Sequence, residues 1–216
     1  MHKACFPEKG WKILASIKEI VAKRNAILCG GTALALQMGH RESLDLDFFT
    51  TAKFSVESLI SSLKKTGHSF ELMDEGDEHL HAVIGGVKFS IFRYDYPFME
   101  KPLLYEGITI AAIPDIADMK IIAISQRGTR RDFIDIYFIL QNTPFHKIAS
   151  HLVRHFGRDR VNPIIMGKSL MYFERADKEP DPKYRGKKTD WEKIKRFFEK
   201  HAKQFTLDLA AALESQ

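Results

Sequence analysis

Cysteine is nearly absent: Cys5 and Cys29 are the two in 216 residues. That scarcity excludes a disulfide framework and a cysteine-based zinc centre, and it leaves Cys29, on an apolar stretch, as a small core residue. No run of eighteen apolar residues occurs, so no membrane-spanning helix is expected. The opening Met1-His2-Lys3-Ala4-Cys5-Phe6-Pro7 lacks the apolar centre of a secretory signal, which makes a cytoplasmic protein the expectation. Internal repeats, low-complexity segments and a Gly-x-Gly-x-x-Gly fingerprint are missing too. Repeat arrays are thereby excluded, and a dinucleotide-binding Rossmann fold is disfavoured.

What is present suits one large domain or two small ones. Apolar residues make up 44% of the chain and charged residues 28%, enough to bury a substantial core. The net charge of +5 is unevenly placed: residues 150–201 hold 14 Lys and Arg against 8 Asp and Glu, whereas the remainder holds 19 against 20. A locally basic surface favours a polyanion such as RNA, or an acidic protein face, through counterion release and steering. A solvated helix face has the same composition.

Periodicity predicts helices over 8–24, 32–38 and 55–65 and strands over 26–29, 45–49, 69–73, 79–84, 87–94 and 107–111. From Pro114 onward the chain reads as almost wholly helical. Ser55 is the expected N-cap of the third helix and Gly67 its stop, and Gly85-Gly86 is a two-residue hairpin signal. The order implies an α+β fold, with a mixed β-sheet flanked by helices over 1–112. A mostly helical C-terminal region over 113–216 would form the other wall of a cleft.

Two motifs in the first region carry chemistry. Ile27-Leu28-Cys29-Gly30-Gly31-Thr32 is an apolar strand that ends in glycines and turns into a helix. Only glycine permits the positive φ and close backbone approach of such a turn, and the amides at the helix start then form an anion site suited to a polyphosphate. Thirteen residues on, Asp45-Leu46-Asp47-Phe48-Phe49 places Asp45 and Asp47 on one face of a strand while Leu46 and Phe48 face the core. Two hard oxygen ligands on one face suit Mg²⁺ or Mn²⁺ together with nucleotide phosphates. Arg41 and Ser43, just before the acidic pair, are placed to contact a phosphate.

The second informative segment begins at Asp115. Lys120 is the single cation in an apolar helical run, so it must snorkel or meet an anion. Asp132 and Asp135 stand one helical turn apart with Phe133, Ile136, Tyr137 and Leu140 as packing residues; pairing of these acids with Arg127, Arg130 and Arg131 is the structural alternative. His151 and His155 have the i, i+4 spacing of metal ligands, but no third ligand is evident near them. His79 and His81 share a strand face and read as a partly exposed pair, and the aromatics of 89–98 as strand packing. The loop containing Arg185, Lys187 and Lys188 is the most exposed cationic stretch and the expected RNA contact, with Arg127, Arg130 and Arg131 as the alternative.

Read together, Gly30-Gly31-Thr32, Arg41 to Asp47, the Asp115 to Lys120 helix and Arg127 to Asp135 resemble the AbiEii/AbiGii toxin family of nucleotidyltransferases, toxins of abortive-infection toxin-antitoxin systems. The resemblance runs over 25–140 and extends to Tyr172-Phe173, Glu179-Pro180 and Asp190-Trp191-Glu192. It implies a nucleotidyltransferase-like fold and transfer of a nucleoside monophosphate from an NTP to an RNA acceptor, tRNA in related toxins. A separately encoded antitoxin is implied as well. By family role Asp45 and Asp47 would hold metal, Gly30, Gly31, Thr32, Arg41 and Ser43 the nucleotide, Lys120 the triphosphate, and Asp135 or Asp132 would act near the acceptor hydroxyl. One departure stands out: the strand Val87 to Tyr94 carries no acid, although many nucleotidyltransferases place a third carboxylate on such a strand. Asp95, Asp132 or Asp135 substitutes for it, or the chain is a catalytically silent module that binds nucleotide, RNA or a partner protein.

Overall fold

Alternation along the strands decides which face of the sheet becomes core and which carries the acids. In the computed structural model, which describes residues 1–186 and 189–215, the chain divides into Met1–Ala112 and Ile113–Gln216. The first unit runs α1 (Glu8–Ala22), β1 (Ile27–Leu28), α2 (Gly30–Met38), β2 (Leu46–Thr50), α3 (Val56–Lys64), β3 (Phe70–Gly76), β4 (His79–Ile84), β5 (Val87–Arg93), β6 (Leu103–Tyr105) and β7 (Ile108–Ile110). The seven strands form one mixed sheet in the order β3-β4-β5-β2-β1-β7-β6. β1 is antiparallel to β2 and parallel to β7, β2 is parallel to β5, and the other pairs are antiparallel.

Register makes two kinds of row across this sheet. Leu28 stands opposite Phe48, Phe48 opposite Ile91 and Ile91 opposite Leu80, all fully buried. Helix α1 brings Ile13, Leu14, Ile17 and Val21 to the core and α3 brings Leu59 and Leu63. Each such side chain contributes about 1.5–3 kcal/mol on burial. One residue along, the strands present Asp47 opposite Ser90, Ser90 opposite His81 and His81 opposite Asp74. Because side chains alternate, this polar row lies on the opposite face.

Local chemistry explains the boundaries. Ser55 caps α3 by accepting from Ser58 N at 3.1 Å, and Gly85 and Gly86, with φ of 54° and 72°, make the tight turn between β4 and β5 that side chains would strain. Two elements differ from expectation. Helix α2 starts at Gly30 rather than at Thr32, and β6 pairs with β7 through a Glu106-Gly107 turn, with both residues at positive φ.

The second unit is helical: α4 (Ile113–Gln126), α5 (Arg130–Leu140), α6 (Phe145–Phe156), α7 (Pro163–Ser169), α8 (Glu174–Asp177) and α9 (Trp191–Glu214). Its core is aromatic. Phe133 meets Phe173, Trp191 and Phe198 at ring separations of 5.0, 6.0 and 5.3 Å, and Phe145 stacks on Phe205 at 4.2 Å. No described helix is long and apolar enough to cross a membrane.

Candidate active site

The strand-to-helix turn and the acidic strand meet in the first unit. Cys29 N donates to Asp47 O at 2.8 Å, which extends the β1–β2 pairing to the start of α2. Gly30 then takes φ +65°, and a Cβ built on it would lie 2.9 Å from Asp47 Oδ2. The bare α-carbon lets this carboxylate approach the helix start closely. Asp47 is oriented from the other side by Ser90, whose hydroxyl donates to Oδ1 at 2.9 Å. Asp45 lies one residue ahead of β2; the Thr32 hydroxyl donates to its backbone carbonyl at 2.5 Å and is 2.9 Å from the Ser43 hydroxyl. Thr32 and Ser43 thus brace the loop that delivers the acidic pair. Arg41 is buried, donates to Glu42 O at 3.1 Å and packs its guanidinium over the α-carbon of Gly31, so it buttresses the first turn of α2. The N-cap residue Cys29 makes no side-chain capping hydrogen bond to α2, and the helix start retains its preference for an anion.

Ser90 is the residue that sequence reasoning passed over. It occupies the β5 position in register with Asp47, on the strand that lacks an acid. Its hydroxyl supplies a hydrogen bond there in place of a charge. Asp95, beyond the strand, is 3.7 Å from Arg93 Nη2.

In the second unit Lys120 meets the anions its sequence context demanded. Its Nζ is 2.7 Å from Asp132 Oδ1 and 2.8 Å from Asp135 Oδ2, with side-chain exposures of 8%, 1% and 0%. Asp132 also accepts from Arg127 Nε at 3.1 Å and from the Thr129 hydroxyl at 2.6 Å. Burial alone would raise the Asp132 carboxyl, but Lys120 and Arg127 outweigh it and hold the group well below the usual carboxylate range. The result is a charged, fully bonded constellation in which one ammonium bridges two carboxylates.

The cationic candidates separate into different environments. Arg130 is a structural residue: it donates to Ala176 O at 2.9 Å, Asp177 O at 3.1 Å and Asp181 Oδ1 at 2.9 Å, and lies 5.0 Å over the Trp191 ring. Arg127 and Arg131 are exposed. Arg185 is exposed as well, whereas Lys187 and Lys188 lie outside the described residues. On β4, His79 Nε2 is 3.1 Å from Asp74 Oδ2, and His81 packs edge-on to Phe92 at 4.9 Å.

Comparison with known proteins agrees with this architecture. The chain is 37% identical over 186 residues to an uncharacterized protein of Aquifex aeolicus, covering 82% of this chain and 86% of that protein. Among solved structures it is similar to JHP933 of Helicobacter pylori, with a TM-score of 0.56 at 21% identity over 97% of both chains. It is also similar to the nucleotidyltransferase toxin MenT4 of Mycobacterium tuberculosis, with a TM-score of 0.57 at 15% identity over 94% and 93%. Residues 12–214 match the model of the nucleotidyl transferase AbiEii toxin of type IV toxin-antitoxin systems. The glycine-opened helix, the paired acids and the Lys120–Asp132–Asp135 constellation thus sit in a nucleotidyltransferase, and the chain belongs to the AbiEii toxin family.

Proposed function

We propose that the chain transfers a nucleoside monophosphate from an NTP to an RNA acceptor, with tRNA as the acceptor class, and that a separately encoded antitoxin restrains it. The observation that carries this reading is the close approach of the Asp47 carboxylate to Gly30 at the N-terminus of α2. It joins a site for phosphate to a site for a divalent cation. Asp45 and Asp47 fit Mg²⁺ or Mn²⁺, because both offer hard carboxylate oxygens and Asp47 Oδ2 lies beside Gly30 at the start of α2. A bound ion would supply charge neutralisation at the transferred phosphate.

The protein's own groups do the rest. The amides of Gly30, Gly31 and Thr32 receive phosphate oxygens, Arg41 and Ser43 brace that turn, and Ser90 fixes the rotamer of Asp47. Lys120 contributes positive charge toward the triphosphate. Asp132 and Asp135 hold that ammonium in place near the acceptor hydroxyl, whose proton leaves to water. The hydroxyl oxygen bonds to the α-phosphorus as the bond to pyrophosphate breaks. Arg185, Lys187 and Lys188, with Arg127 and Arg131, attract the RNA backbone. Such a reaction belongs in the cytoplasm, where NTP and tRNA are both available.

Incubation with each radiolabelled NTP in turn and total tRNA tests the reading. Label should enter RNA with at least one nucleotide, and only when Mg²⁺ or Mn²⁺ is present. Failure with every nucleotide on tRNA and on total RNA would favour the second reading, a silent module that binds nucleotide, RNA or a partner protein. Ser90, an uncharged residue in register with Asp47, is the feature that supports that alternative.

A further inference from the structure

The helical unit contains a second cluster of ligating side chains that nucleotide transfer does not use. Asp115 and Asp118 are three residues apart on α4, and His151 and His155 are four apart on α6, so each pair shares one helix face. Packing of α4 on α6 brings the four together. Asp118 Oδ2 lies 2.6 Å from His151 Nδ1 and 2.9 Å from His155 Nδ1. His155 Nδ1 is 3.9 Å from Asp115 Oδ1. Donor atoms of Asp115, His151 and His155 all lie within 4.8 Å of one another. The four residues are buried, both carboxylates completely. The second oxygen of Asp118, Oδ1, is buried and has no hydrogen-bond partner among the described residues.

Two carboxylates buried beside two imidazoles are costly unless their charge is cancelled and their lone pairs are used. With neutral rings the four groups carry a formal charge of minus two, which one dication cancels. Imidazole nitrogen combined with carboxylate oxygen is the donor set of Zn²⁺ and its transition-metal neighbours, whereas Mg²⁺ prefers oxygen alone. His151 also borders a cavity of about 380 Å³ lined by Pro114, Ala117, His146, Lys147 and Arg154, which leaves one side of the cluster within reach of solutes. The third ligand that the His151–His155 spacing lacked in sequence is supplied by α4.

We propose that Asp115, Asp118, His151 and His155 bind one divalent transition-metal ion of the Zn²⁺ class, which clips α4, the helix that carries Lys120, to α6. The site differs from Asp45 and Asp47 in donor chemistry and in position along the chain. Its role is to fix the helix that bears Lys120.

The test uses the full-length protein stripped with EDTA, dialysed and titrated with Zn²⁺ at neutral pH. Bound metal is read by mass spectrometry and the melting temperature by calorimetry. Asp74, His79 and His81 also group ligating atoms within 4.8 Å, so a His79→Gln/His81→Gln variant is run beside His151→Gln and Asp115→Asn. The expected result is one tightly held equivalent in the wild type and in the His79→Gln/His81→Gln variant, with a melting temperature raised by zinc. His151→Gln and Asp115→Asn should bind at least tenfold more weakly. Retention of no zinc by the wild type would make the cluster a hydrogen-bonded core network and overturn the proposal, as would loss confined to the His79→Gln/His81→Gln variant. Should His151→Gln and Asp115→Asn both fail to fold, X-ray absorption on the zinc-loaded His79→Gln/His81→Gln protein decides. Two imidazoles around the metal support the site, and their absence refutes it.

Discussion

The substitution Lys120→Met keeps the length of the side chain and removes the charge that two carboxylates share. Asp132 and Asp135 would remain at 1% and 0% side-chain exposure. Removal of one partner of a buried ion pair costs roughly 3–5 kcal/mol. The lower end applies, about 3 kcal/mol at pH 7, because Arg127 and Thr129 continue to bond Asp132. The deficit should depend on pH. In the wild type the Asp132 carboxyl is held below its ordinary value of 3.8, so its contribution is present above that value and fades as the pH falls through about 4 toward the folded value. An uncharged side chain in place of Lys120 no longer holds the carboxyl down, and the gap between variant and wild type should narrow as the pH falls below about 5. Urea unfolding followed by Trp191, which packs on Phe133 and Phe173, reports on this unit once Trp11 is replaced by Phe. A variant within about 0.5 kcal/mol of the wild type at pH 7, or a gap independent of pH, would refute the buried-bridge account. Calorimetry with NTP adds the second arm: a lysine that also meets the triphosphate costs about 1.5–3 kcal/mol of binding on removal, whereas a purely structural lysine leaves affinity unchanged.

Three further outcomes are expected. Asp45→Asn and Asp47→Asn should abolish transfer while unfolding within about 0.5 kcal/mol of the wild type, since both carboxylates are only half-buried; wild-type turnover by either variant would remove the acidic pair from the site. Gly30→Ala should lose about 1–2 kcal/mol of stability and at least ~100-fold in transfer rate, because its φ of +65° and the 2.9 Å approach to Asp47 Oδ2 both oppose a methyl group; normal transfer kinetics would contradict the cradle. Arg185→Gln with Lys187→Gln and Lys188→Gln should weaken RNA binding and lower the salt slope by about 2, as three lost phosphate contacts imply for a single strand, with NTP affinity unaltered; an unchanged slope in a filter-binding assay would move the acceptor contact to Arg127 and Arg131.

The α+β architecture was legible because its signals are local. The period of two in 79–84 and 87–93 around Gly85-Gly86, the 3.6 period of 8–22 and the Ser55 cap are properties of neighbouring residues. The short strand at Leu103–Tyr105 carries no such pattern: Leu103 and Leu104 are exposed, and its partner strand is fixed by a turn whose Glu106 takes φ of 51°. Propensity does not anticipate a glutamate in that conformation. The start of α2 at Gly30 escapes a local reading for a related reason. Glycine is a poor helix former, and here it is required by the approach to Asp47, a tertiary demand that overrides propensity.

The residues around the candidate sites divide along the same line. Gly30-Gly31 and Asp45-Leu46-Asp47 are short motifs whose chemistry is intrinsic to their spacing, and they stand out in any reading of the chain. Ser90 and Asp118 acquire meaning only from register and packing. A serine on a strand rich in aromatics is unremarked until β5 is laid parallel to β2 with Ser90 opposite Asp47. The spacing of Asp118 on α4 does not say what it meets until α6 brings His151 and His155 against it. Lys120 is the intermediate case. The sequence shows that a lone cation in an apolar run must find an anion, but not which one, and the choice of Asp132 and Asp135 over the nearer Asp118 follows from the faces that α4 turns to α5 and α6. Residues 118 and 120 are two apart on a helix and point in different directions, so α4 separates an ammonium bridged by carboxylates from a carboxylate bridged by imidazoles. That separation keeps Asp118 from neutralising Lys120 and leaves the lysine to the constellation on α5.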